Sequence, residues 1–179
     1  MQRTHFDHMA CPIAQSLERI GEWWSMLIVR DAFRGLTRFD EFQHSLGISP
    51  TMLTRRLNTL VRNDIMFKQP YQTRPVRHEY LLTERGLALF PVLISLLDWG
   101  NRLLDDDRIA IVPVHRHSGK AVTPQVIDRQ SGERLTYHNV NIITTARCAG
   151  TGNKPQRDAH REISAPYQHQ QPYNRTGNE

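Results

Sequence analysis

Apolar residues recur at helical intervals from Cys11 onward. Ile13, Leu17 and Ile20 follow Pro12, which suits the first position of a helix, and Gly21 stops the run. Trp23 to Phe33 predicts a second helix, with Trp24, Leu27, Ile28 and Ala32 facing inward and Gly35 ending it. Phe39 and Phe42 mark a short third helix that closes at Leu46-Gly47. The clearest start signal comes next. Ser49 stands as N-cap and Pro50 at the first helical position, opening a helix to about Asn63.

The period then changes. Ile65 to Gln69 and Arg77 to Leu82 predict two strands, joined by a loop from Pro70 to Val76 that contains two prolines. Thr83 caps a long helix expected to reach Leu104, roughly 30 Å at 1.5 Å per residue. The expected fold class is therefore mainly α with a small β-hairpin wing: a winged helix-turn-helix plus a long dimerisation helix and a partly disordered tail. After Asp105-Asp106-Asp107 come short β-like pieces, Ile109–Val114, Val122–Ile127 and Val140–Thr144, separated by Ser118-Gly119 and Ser131-Gly132 turns. From Arg147 the sequence is polar and rich in Gln, Asn, Arg and Pro, a composition that favours disorder. The expected boundaries are 9–104 for the winged domain, 105–146 for a small hairpin region and 147–179 for the tail.

Charge sharpens this picture because of where it lies. Net charge is +5 and the isoelectric point about 9.6. Between Ser49 and Arg77 stand Arg55, Arg56, Arg62, Lys68, Arg74 and Arg77, opposed by Asp64 inside the segment and Glu79 just beyond it. A local positive field favours a polyanionic partner. On the helix after Pro50, Leu53, Leu57, Leu60 and Val61 share one side, leaving Thr51, Arg55, Asn58 and Arg62 opposite. Arginine can grip guanine bidentately, asparagine can pair with adenine, and hydroxyls serve either. The first turns of such a helix enter the major groove deepest, so Ser49, Thr51, Met52, Arg55 and Arg56 are the leading contact candidates. Arg74 and Arg77 flank the hairpin tip, where a wing meets the DNA backbone.

These residues carry a family resemblance. C-P-I-A at Cys11–Ala14, G-E-W-W-S at Gly21–Ser25, Arg30-Asp31 and R-F-D-E-F-Q at Arg38–Gln43 resemble the HxlR family of MarR-like winged helix regulators. So do G-I-S-P-T-M-L-T-R-R-L at Gly47–Leu57 and R-H-E-Y-L-L-T-E-R-G at Arg77–Gly86. The resemblance spans about residues 9–104 and implies a homodimeric bacterial regulator, commonly a repressor, that binds double-stranded DNA. It departs at the wing: such proteins often carry P-R-V-E-Y, where this chain has Pro75-Val76-Arg77-His78-Glu79-Tyr80. It also implies a possible oxidant-sensing role for Cys11, since some relatives use the cysteine of the C-P motif in that way. A helix N-terminus is where a thiolate is favoured.

The remaining readings are expectations of partners and absences. Leu87, Phe90, Ile94 and Leu97 form one apolar stripe, and Leu89, Val92, Leu93, Leu96, Trp99 and Leu103 a second, so the helix needs burial on two sides and a homodimer is expected. Trp23, Trp24, Phe39, Phe42, Phe90 and Trp99 could line a small-molecule effector pocket between the winged domain and the long helix, with core packing the commoner role for most of them. His115-x-His117-Ser118-Gly119 and Asp128-x-x-Ser131-Gly132 outline a zinc ribbon without its thiolates, so no metal is expected. No phosphate-cradling glycine loop, nucleophile elbow or H-E-x-x-H is present, so neither enzyme chemistry nor a cofactor is expected. Cys11 and Cys148 cannot build a disulfide scaffold, the opening residues are polar, and the apolar run from Gly86 to Leu97 is shorter than the roughly 20 residues a membrane helix needs. The expected compartment is the cytoplasm.

Overall fold

The local stop and start signals decide where each helix lies. In the computed structural model, which describes Phe6 and residues 9–142, α1 runs Pro12–Ile20 and α2 Trp23–Phe33. Helix α3 spans Phe39–Leu46 and ends on Gly47, whose φ of 61° is the left-handed conformation that glycine adopts without cost. Helix α4 spans Pro50–Arg62, and the Ser49 hydroxyl accepts from the Met52 N–H at 3.4 Å. An antiparallel hairpin follows, β1 (Met66–Thr73) and β2 (Val76–Leu82).

The core lies where α2, α3, α4 and the hairpin meet. Ile20, Ile28, Val29, Phe42, Ile48, Leu53, Leu57, Leu60, Ile65 and Met66 form one buried cluster. Of the α2 residues expected inside, Ile28 is buried. Val29, Ser25 and Asp31 are buried with it, while Trp24, Leu27 and Ala32 are half-buried.

The hairpin and the helix after it differ from the sequence expectation. The hairpin is longer: both strands extend through the expected 70–76 loop, leaving Arg74 and Pro75 as the tip. Pro70 pairs opposite His78 beside a register shift, a place where a two-stranded edge tolerates a missing N–H. The expected helix from Thr83 to Leu104 is divided into α5 (Glu84–Leu87) and α6 (Phe90–Asn101). Pro91 is the cause: it has no N–H to give Leu87, and its ring would strike that carbonyl.

Beyond α6, a 3₁₀ turn at Asp106–Arg108 leads to isolated bridges, Val114 with Ala121 and Ile127 with Arg134, instead of the expected strands. Each bridge closes a glycine-bearing turn, with Gly119 at φ 66° and Gly132 at φ 73°. In the second turn the Asp128 carboxylate accepts from Ser131 Oγ at 2.7 Å, Ser131 N at 3.0 Å and Gln130 N at 3.3 Å. These bonds hold its carboxyl below the usual range, the Ser131 hydroxyl first. The end of the expected 140–144 strand, Cys148 and the expected disordered tail at 147–179 fall outside the described residues.

Thr83 fastens the end of the hairpin. Its hydroxyl donates to the Asp64 carbonyl at 2.7 Å and accepts from the Gly86 N–H at 3.0 Å. Gly86 is buried there, and a Cβ would overlap the Ile65 carbonyl oxygen. Gly86→Ala is expected to lower unfolding stability by about 2 kcal/mol or more through overpacking. Ser49→Ala should lose about 1 kcal/mol through the lost cap. Urea denaturation measures both, and an unchanged midpoint for Gly86→Ala would contradict this packing.

Candidate nucleic-acid interface

Helix α4 divides cleanly into two faces. Leu53, Leu57 and Leu60 are fully buried. Ser49, Thr51, Arg55, Asn58 and Arg62 are exposed, and Met52 is half-buried at the boundary. Of the predicted site residues on this helix, one is misplaced. Arg56 points inward, its side chain 7% exposed, and its Nη2 pairs with Glu22 Oε2 at 2.7 Å. The sequence did carry a signal for this: Arg56 stands three residues after Leu53 and four before Leu60, on the inner stripe. Its guanidinium is thus committed to the core side of α4 and is not part of the exposed basic face.

The wing is anchored to the start of α3. Tyr80 N donates to the Thr37 carbonyl at 2.7 Å, and Arg38 forms an isolated antiparallel bridge with Glu79. The Arg38 guanidinium lies 3.4 Å from Glu79 Oε1 and 4.5 Å from the centre of the Tyr71 ring. Glu41 Oε2 accepts from the N–H groups of Arg38 and Thr37, at 2.9 and 2.8 Å, and these bonds hold its carboxyl below the usual range. Because the folded value is depressed, this contribution is complete above the unfolded value and is lost as pH falls through the folded one.

Arg74 at the tip and Arg77 on β2 are both exposed. Among the described residues, no carboxylate forms a salt bridge with Arg55, Arg62, Arg74 or Arg77. A further basic residue, Lys68 on β1, enters the same surface. Its ammonium donates to Asn58 Oδ1 at 2.9 Å and lies 5.6 Å from the centre of the Tyr80 ring. Sequence spacing alone does not bring Lys68 to Asn58, because cross-strand register cannot be read before the hairpin length is known.

Asp31 braces the helices beneath this surface. Fully buried, its carboxylate receives Arg30 Nε and Nη2, both at 2.9 Å, and Ser45 Oγ at 2.7 Å, so α2 is tied to the end of α3.

Other candidate residues are scattered. The six aromatics considered for an effector site do not share a pocket: Trp23 is 88% exposed, Phe42 lies in the core, and Phe90 meets Phe33 edge-on with ring centres 5.2 Å apart. A cleft of about 450 Å³ lies instead between α3 and the wing, lined by Phe39, Asp40, Tyr71, Arg77, His78 and Tyr80. Cys11 is an exposed thiol at the N-cap of α1, where its side chain makes no capping hydrogen bond. Among the described residues, no three His, Cys, Asp or Glu side chains gather where they could hold a metal ion. No described helix is long and apolar enough to cross a membrane.

Known proteins share this arrangement. The profile of the HxlR-like helix-turn-helix family matches residues 19–108. The uncharacterised HTH-type transcriptional regulator Rv3095 of Mycobacterium tuberculosis is 36% identical over 129 residues, 72% of this chain and 82% of that one. YdeP of Bacillus subtilis, also an uncharacterised HTH-type transcriptional regulator, is 34% identical over 100 residues, 55% of this chain and 78% of that one. The crystal structure of PA1607, a candidate transcription factor, aligns with a TM-score of 0.73 and 40% identity, covering 79% of this chain and all of that one.

Glu22→Ala is expected to leave the buried Arg56 charge without its counter-ion and to cost roughly 2–3 kcal/mol, at or below the range for fully buried pairs because Glu22 is partly exposed. Arg55→Ala should stay within about 0.5 kcal/mol of the parent. Chemical denaturation compares the two, and equal stabilities would refute the inward placement of Arg56.

Proposed function

The chain belongs to the HxlR-like helix-turn-helix family and is a transcriptional regulator; we propose that it works as a homodimeric repressor whose paired α4 helices read a palindromic operator in double-stranded DNA. The observation that carries this is the outer face of α4. Thr51, Arg55, Asn58 and Arg62 project from a helix whose opposite side is locked in the core. In this reading the N-terminal turns, with Ser49, Thr51, Met52 and Arg55, lie in the major groove. Arg62 holds a phosphate further along the helix, and Arg74 and Arg77 on the wing grip the adjacent backbone.

Pairing of two copies rests on α6, which has no buried residue among its twelve. Phe90, Val92, Leu96 and Trp99 are exposed on it, with Leu87 before it and Leu103 after it. An apolar surface of this kind marks an association site. Two-fold pairing would set two α4 helices about one DNA turn apart, which is why a palindromic operator follows. Such a protein acts where the chromosome lies, in the cytoplasm.

A second reading concerns the signal. The exposed Cys11 thiol opens α1, and the far end of that helix is tied to α4 by Asn63 Nδ2 donating to the Arg19 carbonyl at 3.0 Å. Oxidation or alkylation at Cys11 would thereby act on the reading helix. If operator affinity is unchanged by oxidant or quinone, or if Cys11→Ser responds like the parent, the thiol switch is wrong.

Arg55→Ala should weaken binding to a selected operator by about 1–3 kcal/mol per half-site more than binding to unrelated duplex. Arg74→Ala should weaken both alike, as a phosphate contact does. Fluorescence anisotropy on the two duplexes separates the roles; equal losses for Arg55→Ala would remove it from base reading. Sedimentation at micromolar concentration should give twice the chain mass, and a monomer would exclude the dimer.

A further inference from the structure

A polar contact joins the reading helix to the wing at the middle of the basic surface. Lys68 Nζ on β1 donates to Asn58 Oδ1 on α4 at 2.9 Å. On its other side the same ammonium lies 5.6 Å from the centre of the Tyr80 ring, the residue paired with Lys68 across the hairpin. An exposed lysine is ordinarily a mobile chain, yet this one is held at two points on two elements. Among the described residues no carboxylate pairs with it. An ammonium has three donors, and one is used by Asn58, so two remain for an outside acceptor.

The same contact bears on Asn58. Bidentate reading of adenine needs its carbonyl as acceptor and its amide as donor together. Here the carbonyl already receives a charge-assisted bond from Lys68, and such bonds are stronger than neutral ones. The oxygen keeps a second lone pair, but the bond to the ammonium sets the orientation of the amide from β1 and not from a base edge.

We propose that Lys68 is a DNA backbone contact, binding a phosphate oxygen between the reading helix and the wing, and that Asn58 is a positioning residue that aims it, not a base reader. This rests on the DNA-binding function proposed above. Lys68 thus joins Arg62, Arg74 and Arg77 in tracking the backbone, while base discrimination falls to the first turns of α4.

The test measures DNA affinity of the full chain against salt concentration, on a duplex selected by the protein from a random pool and on an unrelated duplex. Each phosphate neutralised contributes about 0.9 to the slope of log affinity against log salt. Lys68→Gln is expected to flatten that slope by about 0.9 per bound copy, about 1.8 for the dimer, on both duplexes, and Lys68→Arg to preserve it. Asn58→Ala should weaken both duplexes by the same factor, add little on top of Lys68→Gln, and leave the preference at every operator base pair unchanged. Both side chains are exposed, so circular dichroism of each variant is expected to show an unaltered fold. An unchanged slope for Lys68→Gln, or a relaxed preference at one base pair for Asn58→Ala, overturns the proposal while leaving DNA binding intact. Absence of salt-dependent binding by the unsubstituted chain would remove the broader function, and this assignment with it.

Discussion

Helix α4 has to be held firmly by one face while the other stays bare, and the rest of the molecule is arranged around that requirement. Leu53, Leu57 and Leu60 lie fully buried against the other core residues. Burying one such side chain stabilises by about 1.5–3 kcal/mol, against about 0–1 for an exposed ion pair. The leucine stripe therefore supplies the holding energy. Arg56 and Glu22 add direction: a buried pair contributes little net stability, but it disfavours any rotation of α4 that would separate them. Rotating the helix would also bury the outer arginines. The inward residues thus determine which side chains face a partner.

The wing is placed by a separate set of contacts that converge on the start of α3. Backbone pairing through Thr37 and Arg38, the Arg38 guanidinium between Glu79 and Tyr71, and the Glu41 carboxylate on two N–H groups all meet there. Asp31 then links α2 to α3 through Ser45. Helix α4 and the wing are consequently both tied to α3 and its neighbours, and Lys68 with Asn58 joins them at the surface. In the proposed function this surface would present its charges to a groove and the flanking backbone together.

Much of this was legible in the residues because local chemistry decides helix ends. Gly21, Gly47, the Ser49-Pro50 pair and Thr83 mark boundaries that depend on neighbours a few positions away. What depends on distant partners was harder to see. Arg56 is a contact candidate by its place in the first turns of α4, although its spacing from Leu53 and Leu60 puts it on the inner stripe. Pro91 divided a helix whose apolar content argued for continuity. The hairpin outgrew its expected strands because Pro70 is tolerated beside a register shift, and with that register came the pairing of Lys68 with Tyr80. The turns at Gly119 and Gly132 were readable, but among the described residues the flanking apolar segments make only isolated bridges.

Which surface of the chain meets DNA is tested most directly by mapping that surface. Backbone amide shifts of the isotope-labelled chain would be followed by nuclear magnetic resonance during titration with a short DNA duplex. The largest changes are expected along α4 from Thr51 to Arg62 and on the wing from Lys68 to Arg77, with α6 and residues 109–142 little affected. Changes centred on α6 or on residues 109–142, with α4 silent, would contradict the assignment of α4 as the reading helix.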